Sequence, residues 1–134
     1  MNILIVTAMQ EEFDANFSML DSDKEESGNV AKGKIGNHIL KTGIGKVNSA
    51  YALGKTLAIF KPDLVINTGV AGGANKKLKP LDIVIGDKFY YHDVDATGFG
   101  YALNQVPGMP EYYEIKEHLK QLFPNKTKFM NIAT

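Results

Sequence analysis

Glu12 and the glycine-rich run Thr68-Gly69-Val70-Ala71-Gly72-Gly73 are the residues of this 134-residue chain best placed to do chemistry. Each follows a short apolar run that reads as a buried strand: Ile3-Leu4-Ile5-Val6 before Glu12, and Leu64-Val65-Ile66 before the glycines. In open α/β sheets, ligands sit beyond the carboxyl ends of the strands. A carboxylate there can hold and deprotonate a water, and glycines let a ligand approach bare backbone N–H groups. Both features also have plainer readings. Glu12 is a first-turn acid of the kind the helix dipole favours, and the glycines suit a tight turn that needs positive φ. Taken alone, the dipole reading of Glu12 is the stronger, and the two readings of the glycine run are evenly matched.

Other candidate motifs are weaker. Gly28-Asn29-Val30-Ala31-Lys32-Gly33-Lys34-Ile35 nearly spells a phosphate-binding loop, but Ile35 stands where a Ser or Thr would hold magnesium. Gly43-Ile44-Gly45 opens a dinucleotide fingerprint, with Asn48 in place of its third glycine. His92, Asp93 and Asp95 fall within four residues of one another. Such a cluster rarely converges on a metal without a distant partner, so loop capping is the expected role, and no metal is expected. Phe99, Tyr101 and Pro107 could line an apolar pocket or simply anchor their loop. No Gly-x-Ser-x-Gly elbow is present.

These residues need a scaffold, and the composition allows one. Hydrophobic residues make up 44% of the chain, and 15 basic residues balance 15 acidic ones. That balance, with no basic stripe, argues against a nucleic-acid partner. With no cysteine, disulfides, thiolate metal sites and a cysteine nucleophile are excluded. The apolar run at Ile3 is too short for a signal peptide, and no stretch approaches the ~20 apolar residues of a membrane helix. A soluble cytoplasmic protein with no membrane partner is therefore expected.

Apolar spacing predicts a helix over Glu11–Leu20 and a hairpin of Val30–Ile35 and His38–Lys41 about Gly36-Asn37. A second helix is predicted over Lys46–Phe60, with an apolar stripe of Val47, Ala50, Tyr51, Gly54, Leu57 and Ala58, ended by Pro62. Strands are predicted at Leu81–Tyr91 and Phe129–Ile132, a third helix over Glu111–Phe123, and an acidic surface turn over Asp21–Glu26. The order is that of an α/β domain with a mixed sheet. Three helices are few for so many strands, and a strand has barely begun when the chain stops at Thr134. The expectation is one incomplete domain over residues 1–134, truncated at its C-terminus.

Several segments together resemble one family, the 5′-methylthioadenosine/S-adenosylhomocysteine nucleosidases. They are Ile3 to Glu12, Gly43-Ile44-Gly45-Lys46, Asn67-Thr68-Gly69 with Ala71-Gly72-Gly73, and Asp82-Ile83-Val84. Tyr91-His92-Asp93 with Asp95, Thr97, Phe99-Gly100-Tyr101, Gln105 and Pro107-Gly108 is the most specific of them. The resemblance implies the nucleoside phosphorylase-like α/β sandwich. It also implies hydrolysis of an N-glycosidic bond to release adenine, with no cofactor, in a homodimer acting on a small nucleoside. It puts Glu12 on the water-activating glutamate. Ala71 and Gly72 fall on the loop whose backbone lies against substrate, Met9 and Ile44 on the ribose and base pocket, and Val70 in the same loop where many relatives carry serine. Phe99 and Pro107 fall on residues that reach across a dimer interface to cover the neighbour's substrate.

The family's acid aspartate and its Met-Glu ribose clamp lie in a C-terminal part with no counterpart among these residues, so the chain by itself is expected to be essentially inactive. Two other readings stay open: a non-catalytic nucleoside-binding or dimerising remnant, and a purine nucleoside phosphorylase.

Overall fold

The first strand, β1 (Ile3–Thr7), turns alternate side chains to opposite faces, and this sets the layers of the N-terminal part of the molecule. Leu4 and Val6 join Leu40 in a buried cluster that Val30, Ala52, Leu53, Leu57 and Phe60 pack against. Ile5 looks the other way, toward Phe13, Ala31 and Ile39 with Phe17 and Leu20. The sheet is thus covered on one face by α2 (Lys46–Ile59) and on the other by α1 (Gln10–Ser18), as parallel strands require.

The structure is a computed structural model that describes residues 1–20, 25–33 and 36–134, and it divides into two units, Met1–Gly72 and Gly73–Thr134. In the first unit, five strands run in the order β2-β3-β4-β1-β5. β1 pairs in parallel with β4 (Asn37–Lys41) and with β5 (Leu64–Asn67), matching Ile5 with Ile39 and with Ile66. β3 (Val30–Lys32) pairs antiparallel with β4 and with β2 (Glu25–Ser27). The sheet is mixed, as the sequence predicts. Its parallel strands bring the turns after β1, β4 and β5 to a single edge.

The second unit is built on β6 (Val84–Tyr90), which pairs antiparallel with β7 (Tyr113–Glu114) and in parallel with β8 (Lys128–Ala133). The β6–β8 register shifts between Gly86 and Phe89. Ala96 is the one residue of this unit that is fully buried among those described. Two partly exposed ion pairs lie on it: Lys120 Nζ is 2.7 Å from Asp87 and Lys128 Nζ 2.8 Å from Asp82. The Phe123 and Phe129 rings meet edge to face at 6.0 Å.

Five expectations are corrected. Leu64-Val65-Ile66 does form a parallel strand, but β5 is the edge of its sheet, so Val65 and Ile66 are each 41% exposed and the strand is not buried. The helix predicted over Glu111–Phe123 shrinks to α3 (Glu117–Lys120), because Tyr113 and Glu114 pair with Phe89 and Lys88 of β6. Here a strand partner overrides helical spacing. The apolar stripe of α2 is rotated, since Ala52, Leu53 and Leu57 face the sheet, while Val47 (83% exposed) and Tyr51 (71%) face outward. Asn37 belongs to β4 rather than to a two-residue turn, with Gly33 N–H donating to its carbonyl at 2.7 Å. The acidic turn gives way at Glu25 to an edge strand, and residues 21–24 lie outside the described ones. Lys34 and Ile35 of the phosphate-loop look-alike also lie outside them, and its Val30–Lys32 portion is strand β3.

Candidate functional site

α1 begins three residues after β1 ends, so its first turn lies at the sheet edge formed by the strand C-termini. Glu12 is the third residue of that helix, and its side chain reaches back, as a glutamate in this position can. Oε2 accepts N–H bonds from Ala8 at 2.9 Å and Met9 at 3.1 Å. Oε1 accepts a third N–H from Val70 at 3.0 Å, fifty-eight residues away in sequence. Val70 is held there because Thr68 N–H donates to Val6 O at 3.0 Å, carrying the β1–β5 pairing into the loop. One carboxylate therefore ties the turn after β1 to the loop after β5.

Partial burial pushes the Glu12 carboxyl upward, but the N–H groups of Val70, Met9 and Ala8 outweigh it and hold the group below the ordinary glutamate value. Donors to the charged form favour that form. The carboxylate is therefore ionised at neutral pH. The plainer reading of Glu12 is thus partly realised, since the side chain does satisfy its own helix N-terminus. The Val70 bond is what that reading does not account for.

Glu12 borders an open cavity of about 460 Å³, lined by Met9, Glu11, Glu12, Ala15, Asn16, Thr68, Gly69 and Val70. None of these is basic, and Glu11 is the other acid. Met9, Glu12 and Val70 are thus brought together among the residues expected at a site. Ala71 and Gly72 continue the same loop, exposed, beyond the residues that line the cavity. Ile44, 71% exposed, stands in the turn after β4 on the same sheet edge. Phe99 (86% exposed) and Pro107 are exposed in the second unit, Phe99 in the 3-10 turn Thr97–Phe99.

The glycines separate into two kinds. Gly43 and Gly45 take φ of 83° and 98°, so the turn into α2 needs them for backbone reasons, and the dinucleotide reading is unnecessary. Gly69, Gly72 and Gly73 are absent from the left-handed residues, so the tight-turn reading of this loop fails. Nothing lies within 4 Å of where a side chain at Gly72 would begin. Asp95 does cap its loop, accepting from Thr97 N–H at 3.1 Å and Thr97 Oγ1 at 2.7 Å. Among the described residues no group of three or more His, Asp or Glu is arranged to hold a metal, and no helix is long and apolar enough to cross a membrane. The sequence reading includes Gly69 in its candidate loop without assigning it a role, and it does not single out Ala8. A glutamate at the third helical position, preceded by a buried strand, was the available signal for Ala8.

A mixed sheet flanked by helices, with a fixed carboxylate at its C-terminal edge, defines the class. The sequence model of the Phosphorylase superfamily matches residues 2–134, and the chain belongs to that family. Within it, the chain is similar to 5′-methylthioadenosine/S-adenosylhomocysteine nucleosidases. The one from an Exiguobacterium species is 48% identical over 122 residues, covering 85% of this chain and 52% of the relative. The one from Anoxybacillus flavithermus is 43% identical over 129 residues, covering 90% and 55%. The crystal structure of Streptococcus pneumoniae MTA/SAH nucleosidase in complex with 8-aminoadenine superposes with a TM-score of 0.87 at 36% identity, covering all of this chain and 64% of that one. The same enzyme with the transition-state inhibitor MT-ImmA gives 0.86 at 34%. The chain thus spans little more than half the length of the curated relatives it matches.

Proposed function

We propose that this chain supplies the water-activating part of an N-glycosidase site that hydrolyses methylthioadenosine and S-adenosylhomocysteine to adenine and a thioribose, in methionine and methylthioadenosine salvage. The observation that carries this is the Glu12 carboxylate, held by three backbone N–H groups at the rim of a cavity whose lining has no basic residue. An oxygen held by one N–H keeps a lone pair for a water, and Oε1 is that oxygen in Glu12. A transition state resembling an oxocarbenium ion is attacked readily, so a carboxylate of low basicity suffices to orient the water and take its proton late. The same charge disfavours phosphorolysis, because a phosphate dianion entering beside Glu11 and Glu12 is repelled.

In this reading Met9, Ile44, Val70, Ala71 and Gly72 form the nucleoside-facing surface. Gly72 supports it, since neither φ nor any neighbour in this chain demands glycine there. None of the 134 residues is assigned as the acid that protonates adenine or as the ribose clamp. A well-placed general acid contributes ~10²- to 10⁴-fold. Phe99 and Pro107 close the neighbour's site in a cytoplasmic homodimer. The outward apolar face of α2, with Val47 and Tyr51 exposed, supports such a partner.

The test is a chimera that continues this chain with the remaining residues of the Exiguobacterium relative, assayed for adenine release from methylthioadenosine without phosphate. Turnover that Glu12→Gln removes supports the hydrolase. Retained dimerisation without turnover points instead to a binding remnant, and a strict need for phosphate to a phosphorylase.

A further inference from the structure

Gly69 does not take the left-handed φ that would itself call for glycine. What excludes a side chain there is Glu12. A Cβ at residue 69 would lie 2.5 Å from Glu12 Oε1, 2.9 Å from its carboxyl carbon and 3.1 Å from Oε2. All three nearest atoms belong to that one carboxylate. The same oxygen, Oε1, takes the N–H of the next residue, Val70. The bare backbone of residue 69 is thus the surface on which the carboxylate lies while it bonds residue 70.

We propose that Gly69 is a positioning residue for Glu12: its missing side chain seats the carboxylate against the loop after β5 and so fixes where the base meets the cavity. This rests on the reading of Glu12 as the water-holding base, although the seating itself does not depend on that reading. Glu12 is a flexible side chain, so an added methyl group displaces it instead of unfolding the sheet, and the Val70 bond is lost. Displacement by about 1 Å is enough to cost ~10²-fold in a reaction that depends on alignment. Of the cavity-lining residues, Glu11 on α1 is the other ionisable group, and the β5 loop contributes none.

The experiment compares this 134-residue chain with its Gly69→Ala variant, following the Glu12 carboxyl carbon by NMR as pH is varied. In the parent chain Glu12 titrates below the ordinary glutamate range; in Gly69→Ala its midpoint rises into or above that range. A thermal cycle adds a second readout: Gly69→Ala lowers Tm in the parent background and leaves it unmoved when Glu12→Ala is also present. An unchanged Glu12 midpoint, or an equal loss of Tm in both backgrounds, overturns the proposal. In the chimera, Gly69→Ala is expected to lower kcat about 10²-fold with KM unchanged. If the parent chimera releases no adenine while the midpoint still moves, the seating stands and the hydrolase reading falls.

Discussion

The two units keep their apolar residues in different ways. Met1–Gly72 buries Leu4, Val6, Phe13, Ala31, Ile39 and Leu40 on the two faces of one sheet, whereas among the described residues of Gly73–Thr134 only Ala96 is fully buried. The second unit holds together through the pairing of β6 with β7 and β8 and side chains that are only half-buried. The carboxylate and the amides that bind it all belong to the first unit, on turns that directly continue its packed strand β1 and the β5 strand hydrogen-bonded to it. Groups that must hold a water in one place need such a rigid support. Residues expected to cover a ligand sit in the sparser unit, on a loop, where movement is tolerated.

If that contrast is real, truncating a core side chain in the first unit must have the largest effect. Phe13 is 1% exposed and stacks on Phe17 with ring centres 6.0 Å apart. Phe13→Ala is expected to cost about 3–5 kcal/mol, read from urea denaturation. Glu12→Ala comes next, at about 2 kcal/mol at neutral pH, because three N–H groups lose a charged acceptor. Its contribution depends on pH with a definite sign. A carboxyl held below its unfolded value stabilises the fold fully above ~4.3, the ordinary glutamate value, and loses that contribution as pH falls through the lower folded value. Melting curves of the parent chain between neutral and acid pH should therefore fall more steeply than those of Glu12→Gln.

In the second unit the effects shrink or change sign. Leu81 is 98% exposed and sits at φ 71°, a strained angle for leucine. Leu81→Gly gives up no packing and should stabilise by up to about 1 kcal/mol, raising Tm. Lys120→Met is the smallest change. It removes the pairing with Asp87 and Glu117, and is expected to move the denaturation midpoint less than Leu81→Gly does, and less still at high salt. A loss as large as that of Phe13→Ala would mean that the second unit has a core of its own.

Much of this was legible in the chain. Ile3-Leu4-Ile5-Val6 announces a buried parallel strand and Leu64-Val65-Ile66 a parallel strand that proves to be an exposed edge, and the α1 and α2 boundaries fall within one or two residues of their predicted places. What failed depends on partners distant in sequence. Tyr112 and Ile115 have helical spacing, yet their segment is claimed by β6, where Tyr112 packs 5.5 Å from Tyr90 with Lys88 Nζ over its ring at 3.9 Å. The predicted α2 stripe differs from the observed one because that helix is apolar on two sides, so periodicity does not say which side meets the sheet. Within the site, Glu12 could be picked out by its place after a strand. That Gly69 answers to Glu12, fifty-seven residues away, appears only when the two are seen in space.

The most direct test of the central claim is adenine release from methylthioadenosine in phosphate-free buffer by the chain extended with the remaining residues of the Exiguobacterium relative, before and after Glu12→Gln. Turnover that needs no phosphate and falls ~10²- to 10⁴-fold in the variant is the expected result. Turnover that survives the substitution, or that appears only when phosphate is added, would contradict it.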